Sequence, residues 1–328
     1  MFPGTPGRSG RGAARRANRP VSIAVALVAL VSALMAKHCA PDLPERPDGA
    51  VAVCSWNMEW FPSGWPEPQP RATERRRIAA AAEGLRRGGV PDILMVQEIR
   101  DRATCDEFAA ALGGDLRTAV CSDFWNNPTN RSLQQVAVLS RLPCVASGFE
   151  PWTAADFVYP PRGFAWAVFD AGGRRIACFD VHLKSNYVPE GKDEARQAVL
   201  NRLKRELATE QLVRRIEAIA GRYASGRESP AVIVAGDFNT AAEDPRFAGE
   251  KTIRTILEAG LRDAFEGIPE AERPTLPASD MYPAATFDHI YSKGLGKPFS
   301  RRVGLSIETS DHRPVYAAFV ADEPDDNQ

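Results

Sequence analysis

The chain has 328 residues, of which 44% are apolar and 25% charged, values that fit a globular protein able to bury a core and exclude a chain too polar to fold. Its formal net charge of −1 excludes electrostatic capture of nucleic acid by the molecule as a whole. A polyanionic substrate would have to be held by a local basic groove and by metal.

The chain opens with Arg8, Arg11, Arg15, Arg16 and Arg19 and no acid, followed by an apolar run from Val21 to Ala36 broken only by Ser22 and Ser32. About 20 apolar residues are needed to span a bilayer, so this run is short for a spanning helix and has the length of a signal-peptide core. Residues 1–36 therefore read as a basic segment with an export signal, and an uncleaved membrane anchor through residues 21–36 is the second reading. The cleavage site is poorly marked, because Leu34 stands where a small residue is wanted, and the residues after Arg15-Arg16 match a twin-arginine signal poorly. Both readings put the folded domain outside the cytoplasm, either secreted or periplasmic, or membrane-anchored. Residues 37–49 form a polar, proline-containing linker, residues 50–321 the folded domain, and residues 322–328 an acidic tail.

The domain starts with VAVCSWN (51–57), a short apolar run that reads as a buried strand presenting Asn57 at its end. Four prolines and one glycine make residues 61–72 a loop. Residues 73–87 follow as a helix with Ile78, Ala82 and Leu85 on one face and arginines on the other. PDILMVQEI (91–99) is a second strand ending at Glu98, residues 104–112 a short helix, and residues 123–132 a polar loop. QVAVLS (135–140) is a strand stopped by Arg141-Leu142-Pro143, and GFAWAVFD (163–170) and RRIACFDVHL (174–183) are strands joined by Ala171-Gly172-Gly173, a hairpin signal. Apolar residues from Ala195 to Ile219 recur every three to five positions and predict the longest helix, over 192–220. AVIVAG (231–236) is another buried strand, residues 249–260 a helix closed by Gly260, and TFDHIYS (286–292) and PVYAAFV (314–320) are the last strands. Hairpins mixed with strand–helix alternation predict an α/β domain of mixed sheets covered by helices. Among the six cysteines, Cys54 and Cys178 fall inside apolar runs as buried thiols, Cys105 and Cys121 flank a helix and could bridge in an exported domain, and no spacing resembles a zinc site.

The polar residues that stand out lie where these apolar runs stop: Asn57, Glu98, His182, Asp237, Asn239, Asp288, Asp311 and His312. Strand ends on one rim of a sheet let distant residues converge. Four carboxylates at such ends repel one another unless a cation lies between them, and a hard divalent ion with oxygen ligands fits the set better than zinc does. Of the four histidines in the chain, His38 lies in the linker and the other three lie beside these carboxylates. His289 alternates with Asp288 along a strand and should point away from it into structure, which leaves His182 and His312 as functional candidates.

SWNMEW (55–60), LMVQEI (94–99), VAVLSRLP (136–143), FDVHLKS (179–185), VAGDFNT (234–240), TFDHIYS (286–292) and SDHRPV (310–315) together resemble the successive motifs of the endonuclease/exonuclease/phosphatase superfamily. The resemblance runs in order from about residue 51 to 320. It implies a four-layer α-β-β-α sandwich of two packed mixed sheets. It also implies divalent-metal-dependent hydrolysis of phosphate esters, with Mg2+ as the expected ion and Mn2+ or Ca2+ as substitutes. By the same resemblance Asn57, Glu98 and Asp311 are metal-site residues, Asp237 and Asn239 position the nucleophile and the phosphate, and His312 acts on the attacking water or stabilises the phosphorane-like transition state. Asp288 orients His312, and His182 binds a phosphate oxygen. Glu59 stands where some members carry an aspartate near the metal, and its extra methylene assigns it a supporting place. Lys184 and Ser185 follow His182 closely and are candidate substrate contacts.

The chemistry is better fixed than the substrate. A secreted or surface-anchored nuclease, with nucleic acid as substrate, is the first reading, and Arg71, Arg75, Arg76, Arg77, Arg131, Arg141 and Arg162 are candidates for a phosphate-binding groove. The competing account of the first four is a solvated helix face. A sphingomyelinase-like or other lipid phosphodiesterase, or a phosphatase of small molecules, is the alternative; a membrane-acting enzyme should expose an aromatic hairpin, with Trp60, Phe61, Trp65 and Trp125 as candidates. A non-catalytic binding module is disfavoured because every matched position keeps a competent residue.

Overall fold

A computed structural model describes residues 47–224, 228–280 and 282–320. The basic segment, the apolar run 21–36, most of the linker and the acidic tail lie outside the described residues. Among the described residues no helix is long and apolar enough to cross a membrane.

Two six-stranded sheets form the middle of the molecule. The first has β1 (Ala50–Phe61), β2 (Ile93–Ile99), β3 (Arg117–Cys121), β6 (Gln135–Ser140), β13 (Ser300–Val303) and β14 (Val315–Val320), in the order β13-β14-β1-β2-β6-β3. The second has β7 (Cys144–Pro151), β8 (Gly163–Ala171), β9 (Arg174–His182), β10 (Ala231–Asp237), β11 (Arg262–Asp263) and β12 (Asp288–Lys293), in the order β11-β12-β10-β9-β8-β7. A two-stranded ribbon, β4 (Trp125–Asn127) with β5 (Asn130–Arg131), stands apart. Both sheets are mixed: β1 runs parallel to β2 and β9 parallel to β10, while β14 and β12 run antiparallel to their neighbours.

The period-two pattern of the strands decides the layers. Val51, Val53, Ile93, Met95 and Val136 on one sheet meet Ala165, Cys178, Ile233 and Ile290 on the other in a central core. The alternate residues of the first sheet, among them Cys54, Trp56, Leu94 and Leu139, pack against α1 (Arg71–Gly88) and α2 (Arg102–Leu112). The alternate residues of the second, among them Phe164, Phe179, Val181 and Val234, pack against α3 (Glu194–Arg222) and α4 (Thr252–Glu258). The result is the expected α-β-β-α sandwich.

Several local expectations change. The helix expected over 249–260 is only α4, because Gly249 and Gly260 both have positive φ and exclude the turns at each end. The loop 123–132 carries the β4–β5 ribbon. β3, β7, β11 and β13 were not expected; β3, β7, β11 and β13 are all outer strands, and β7 alternates between exposed and half-buried residues without an apolar run. Cys105 and Cys121 are free thiols in mutual contact, not a disulfide.

Candidate active site

The two sheets end together, and the end that matters is the C-terminal end of β1, β2, β9 and β10. Backbone irregularity there aims the side chains. β2 slips register between Gln97 and Ile99, and Glu98 sits in the left-handed region at φ 60°. β1 slips between Asn57 and Phe61, with Glu59 and Trp60 also at positive φ. Such conformations cost a non-glycine residue of order 1 kcal/mol or more and persist where the surroundings over-determine them. Gly236 allows the close packing of β10 on β9: its φ is 144°, and a Cβ there would stand 1.9 Å from the Val181 carbonyl oxygen.

One polar cluster results. Asn57 Nδ2 donates to Asp237 Oδ2 at 2.9 Å and to Glu98 Oε1 at 3.2 Å. His182 Nε2 lies 3.6 Å from Asp237 Oδ2 and 3.7 Å from Glu98 Oε1. The Trp60 N–H donates to Glu98 Oε2 at 3.0 Å, and the Asn239 N–H to Asp237 Oδ1 at 2.9 Å. Asn239 itself sits at φ 54°, a conformation asparagine tolerates better than most residues. His312 Nδ1 is 2.7 Å from Asp288 Oδ2, the geometry in which a carboxylate fixes the tautomer and leaves Nε2 as the working nitrogen. Asp288 is placed by its own N–H, which donates to Thr275 Oγ1 at 3.1 Å.

The two histidines sit in opposite fields. Burial, helped by the charges of Arg162, His312 and Lys184, holds His182 well below the usual imidazole range, so it is neutral. Burial acts the same way on His312, but Asp288, Asp237 and Asp311 outweigh it and hold the ring well above that range. Burial also pushes the Asp237 carboxyl up. Glu59 is raised to about 7, first by burial and then by Asp311 and Glu98, with Arg77 offsetting only part of it.

That last group bears on a cation. Asp311 and Glu98 lie close enough to Glu59 to disfavour its charge, and the Asp311 N–H approaches the Glu59 carboxylate. Hard oxygen donors that crowd in this way fit a hard divalent ion in chemistry. Among the described residues no three His, Cys, Asp or Glu side chains surround one point in ligating geometry. Glu98 and Asn57 lie at the centre of the cluster, and Asp311 lies exposed on its rim beside His312.

The remaining expected residues fall elsewhere. Lys184 Nζ donates to Ser185 O and Oγ, and the pair shows no hydrogen bond to the carboxylates or histidines; burial and the neighbouring Arg162 bring Lys184 down to about 8. His289 points into the outer core between Phe238 and Tyr291, with Nε2 3.1 Å from Thr240 O, as its place in the strand implied. Most of the arginines expected to line a groove have partners within the protein: Arg71 and Arg75, both exposed, pair with Glu107, Arg77 donates to Thr309 O, Arg131 pairs with Asp123 and Arg141 with Asp92, while Arg76 is exposed with only Thr73 Oγ1 beside it. Phe61 is buried, and only Trp65 and Trp125 of the aromatic candidates are exposed.

Four residues support the cluster in ways the sequence did not indicate: Arg162, expected in a phosphate groove, and Trp56, Gln97 and Ser310, which lie inside the motifs without an assigned role. Arg162 donates to the carbonyls of His182 and Leu183 and so fixes the end of β9. Ser310 Oγ donates to Asn57 O at 2.7 Å and accepts from the His312 N–H at 3.0 Å. Trp56 Nε1 donates to His312 O at 3.1 Å. Gln97 Nε2, fully buried between the sheets, donates to Asp180 Oδ1 at 2.6 Å and to Ser55 Oγ at 3.2 Å. Ser55 and Asp180 stand two residues before Asn57 and His182, and that even spacing along a strand was the available clue.

A sandwich of two mixed sheets whose joined ends carry carboxylates and a carboxylate-bound histidine defines a phosphoric ester hydrolase of one recognised group. The profile of the Endonuclease/Exonuclease/phosphatase family matches residues 54–312, and the chain belongs to that family. Members generally depend on a divalent metal. No curated protein sequence matches the chain. Similar solved structures include an endonuclease/exonuclease/phosphatase family protein from Bacteroides thetaiotaomicron, with 17% identity, a TM-score of 0.57, and coverage of 82% of this chain and 94% of that one. TDP2 from C. elegans has 18% identity and a TM-score of 0.54 over 89% of this chain and 80% of its own. D. rerio TDP2 complexed with single strand DNA product has 15% identity and a TM-score of 0.53 over 83% of this chain and 99% of its own. At these identities the likeness is one of fold.

Proposed function

We propose that this protein is a divalent-metal-dependent phosphodiesterase that cleaves nucleic acid, acting outside the cytoplasm. The observation that carries the chemistry is the convergence of Asn57, Glu98, His182 and Asp237 within hydrogen-bond or ion-pair reach, next to the His312–Asp288 pair. In-line hydrolysis needs an oriented water, neutralised phosphate oxygens and help for the departing alkoxide. Asp237, aligned by the Asn239 N–H and Asn57 Nδ2, is the acceptor that orients the water and takes up its proton. His312, charged through Asp288, donates to a non-bridging oxygen as negative charge accumulates there. His182 is neutral, and it supplies a hydrogen bond rather than a charge. Glu98, with Asn57 and Asp311, would hold the cation, and Mg2+ suits this oxygen-rich donor set. When bound, the ion supplies Lewis-acid stabilisation of the phosphate charge.

Nucleic acid is favoured over other esters because a similar fold, that of D. rerio TDP2, has been seen with a single strand DNA product. Cleavage of single- and double-stranded DNA and of RNA, with Mg2+, Mn2+ or Ca2+ and with Asp237→Asn as control, tests the proposal. Metal-dependent cleavage that the variant lacks is expected; a protein inert towards all three polymers would refute the nuclease assignment.

One observation favours a lipid phosphodiesterase as the second reading. The β7–β8 loop opens on the same end of the sandwich, and at its tip Asp156 and Phe157 both adopt positive φ, which leaves Phe157 91% exposed. Release of phosphocholine from sphingomyelin vesicles, lost in Phe157→Ser, would establish it over the nuclease.

A further inference from the structure

At the open edge of the sandwich, where β13 and β11 end their sheets, lies a pocket of about 530 Å3 that the catalytic cluster does not use. Its floor includes the buried ring of Phe265, and Leu305 on its rim is 85% exposed. Four arginines line it, and they are not equivalent. Arg302 is engaged elsewhere: it donates to Gly88 O and lies over the Tyr316 ring. Arg273 is matched: it pairs with Asp263 at 2.6 Å and lies over the Phe265 ring. Arg301 has one weak contact, from Nη1 to Ala264 O at 3.3 Å, and Arg313 has one, from Nε to Ser306 Oγ at 3.0 Å. Among the described residues neither has a carboxylate within ion-pair distance. Glu272 also lines the pocket but is exposed and pairs with neither arginine. A guanidinium offers five N–H donors in a fixed fork, and half-burying two of them without a counter-charge costs free energy unless an anion completes the site.

The pocket shares its walls with the active site. Arg313 follows His312, and its N–H donates to Thr275 O at 2.7 Å. Thr275 in turn holds Asp288, and Arg273 and Pro274 just before it line the pocket. Arg313 is therefore the pocket arginine that adjoins His312 in sequence and is bonded to the residue that holds Asp288.

We propose that this pocket is a second subsite for the substrate strand, binding the phosphate of a nucleotide beyond the scissile bond through Arg301 and Arg313, with its sugar or base against Leu305 and Val303. The proposal rests on the nuclease reading for its ligand. Arginine forks match phosphate bidentately, and apolar surface beside them suits a nucleotide better than a bare anion.

The test compares wild type with Arg301→Gln and Arg301→Lys on bis(p-nitrophenyl) phosphate, which fills only the reacting position, and on oligonucleotides of increasing length. For wild type, KM should fall on the order of tenfold as the strand lengthens enough to reach the pocket, equivalent to about 1.4 kcal/mol. Arg301→Gln should lose that gain and flatten the salt dependence by about one phosphate contact, while turnover of the small ester is unchanged. Arg301→Lys should recover part of it. An Arg301→Gln enzyme with the wild-type length and salt dependence would overturn the subsite, as would a wild type with no length dependence. If the small ester is hydrolysed and no oligonucleotide is, the nuclease reading has failed separately. Equilibrium dialysis with adenosine monophosphate then decides: binding that Arg301→Gln loses upholds a nucleotide pocket, and identical behaviour of the two proteins overturns it.

Discussion

At the end of β9, burial and the Arg162 guanidinium keep His182 uncharged, whereas Asp288 keeps His312 an imidazolium. The difference sets what each substitution should do. His312→Ala should lower kcat by about 10²–10⁴-fold, the range for a positioned proton donor or acceptor, with a smaller change in KM. Glu98→Gly should remove metal-supported activity but leave the thermal midpoint nearly where it was, because the relief of the positive φ at 60°, about 1 kcal/mol, is offset by the Trp60 N–H and Asn57 amide left without their carboxylate acceptor. Asp180 gives a pH signature. Burial holds its carboxyl well above the usual range, with the Gln97 amide opposing in part. A raised folded pKa means the fold binds the proton more tightly than the unfolded chain does. The stability that Asp180 contributes is therefore complete below the ordinary aspartate range near pH 4 and is lost as pH rises above it. Asp180→Asn should remove this slope and be the more stable protein at neutral pH; chemical denaturation of both between pH 4 and pH 8 measures it.

Elements hold the cluster through contacts that no single motif announces. Gly236→Ala should cost about 3 kcal/mol, because its Cβ would meet the Val181 carbonyl and β10 would have to part from β9 just where Asp237 and His182 face each other. The buried ion pair of Arg205 on α3 with Glu250, at 2.6 Å, also ties down Lys184 O and Asn186 Oδ1. Arg205→Ala leaves Glu250 buried and unpaired, an expected loss of about 3–5 kcal/mol in urea denaturation. The inner strands could be found in the sequence because both of their faces are covered, so β1, β2, β6, β9 and β10 read as unbroken apolar runs ending in polar residues. Edge strands such as β7 and β13 are partly solvated and left no such run. Residues that act through side chains at strand ends were equally readable. Arg162 and Ser310 work by holding backbone carbonyls, a role that residue type alone does not reveal. For the arginines of α1 the sequence could not show that Glu107 on α2 pairs with Arg71 and approaches Arg75, a contact that exists only once the helices pack.

For the molecule as a whole, the cation and the fold are linked. An ion that binds only the folded state stabilises it by about 2.7 kcal/mol at a hundred times its dissociation constant. Saturating Mg2+ should therefore raise the melting temperature of wild type and leave that of Glu98→Gln nearly unchanged, and EDTA should abolish hydrolysis while the protein stays folded. The order of the first sheet puts its last strand in sequence beside its first. β14 pairs with β1, and the loop before it brings Ser310 to Asn57 O and His312 O to Trp56. The segment from Ser310 to Val320 therefore supplies both a histidine of the cleft and the strand that covers one side of β1, so a cut in the loop ahead of Ser310 would part the two halves of the cleft and uncover the middle of the first sheet in one step.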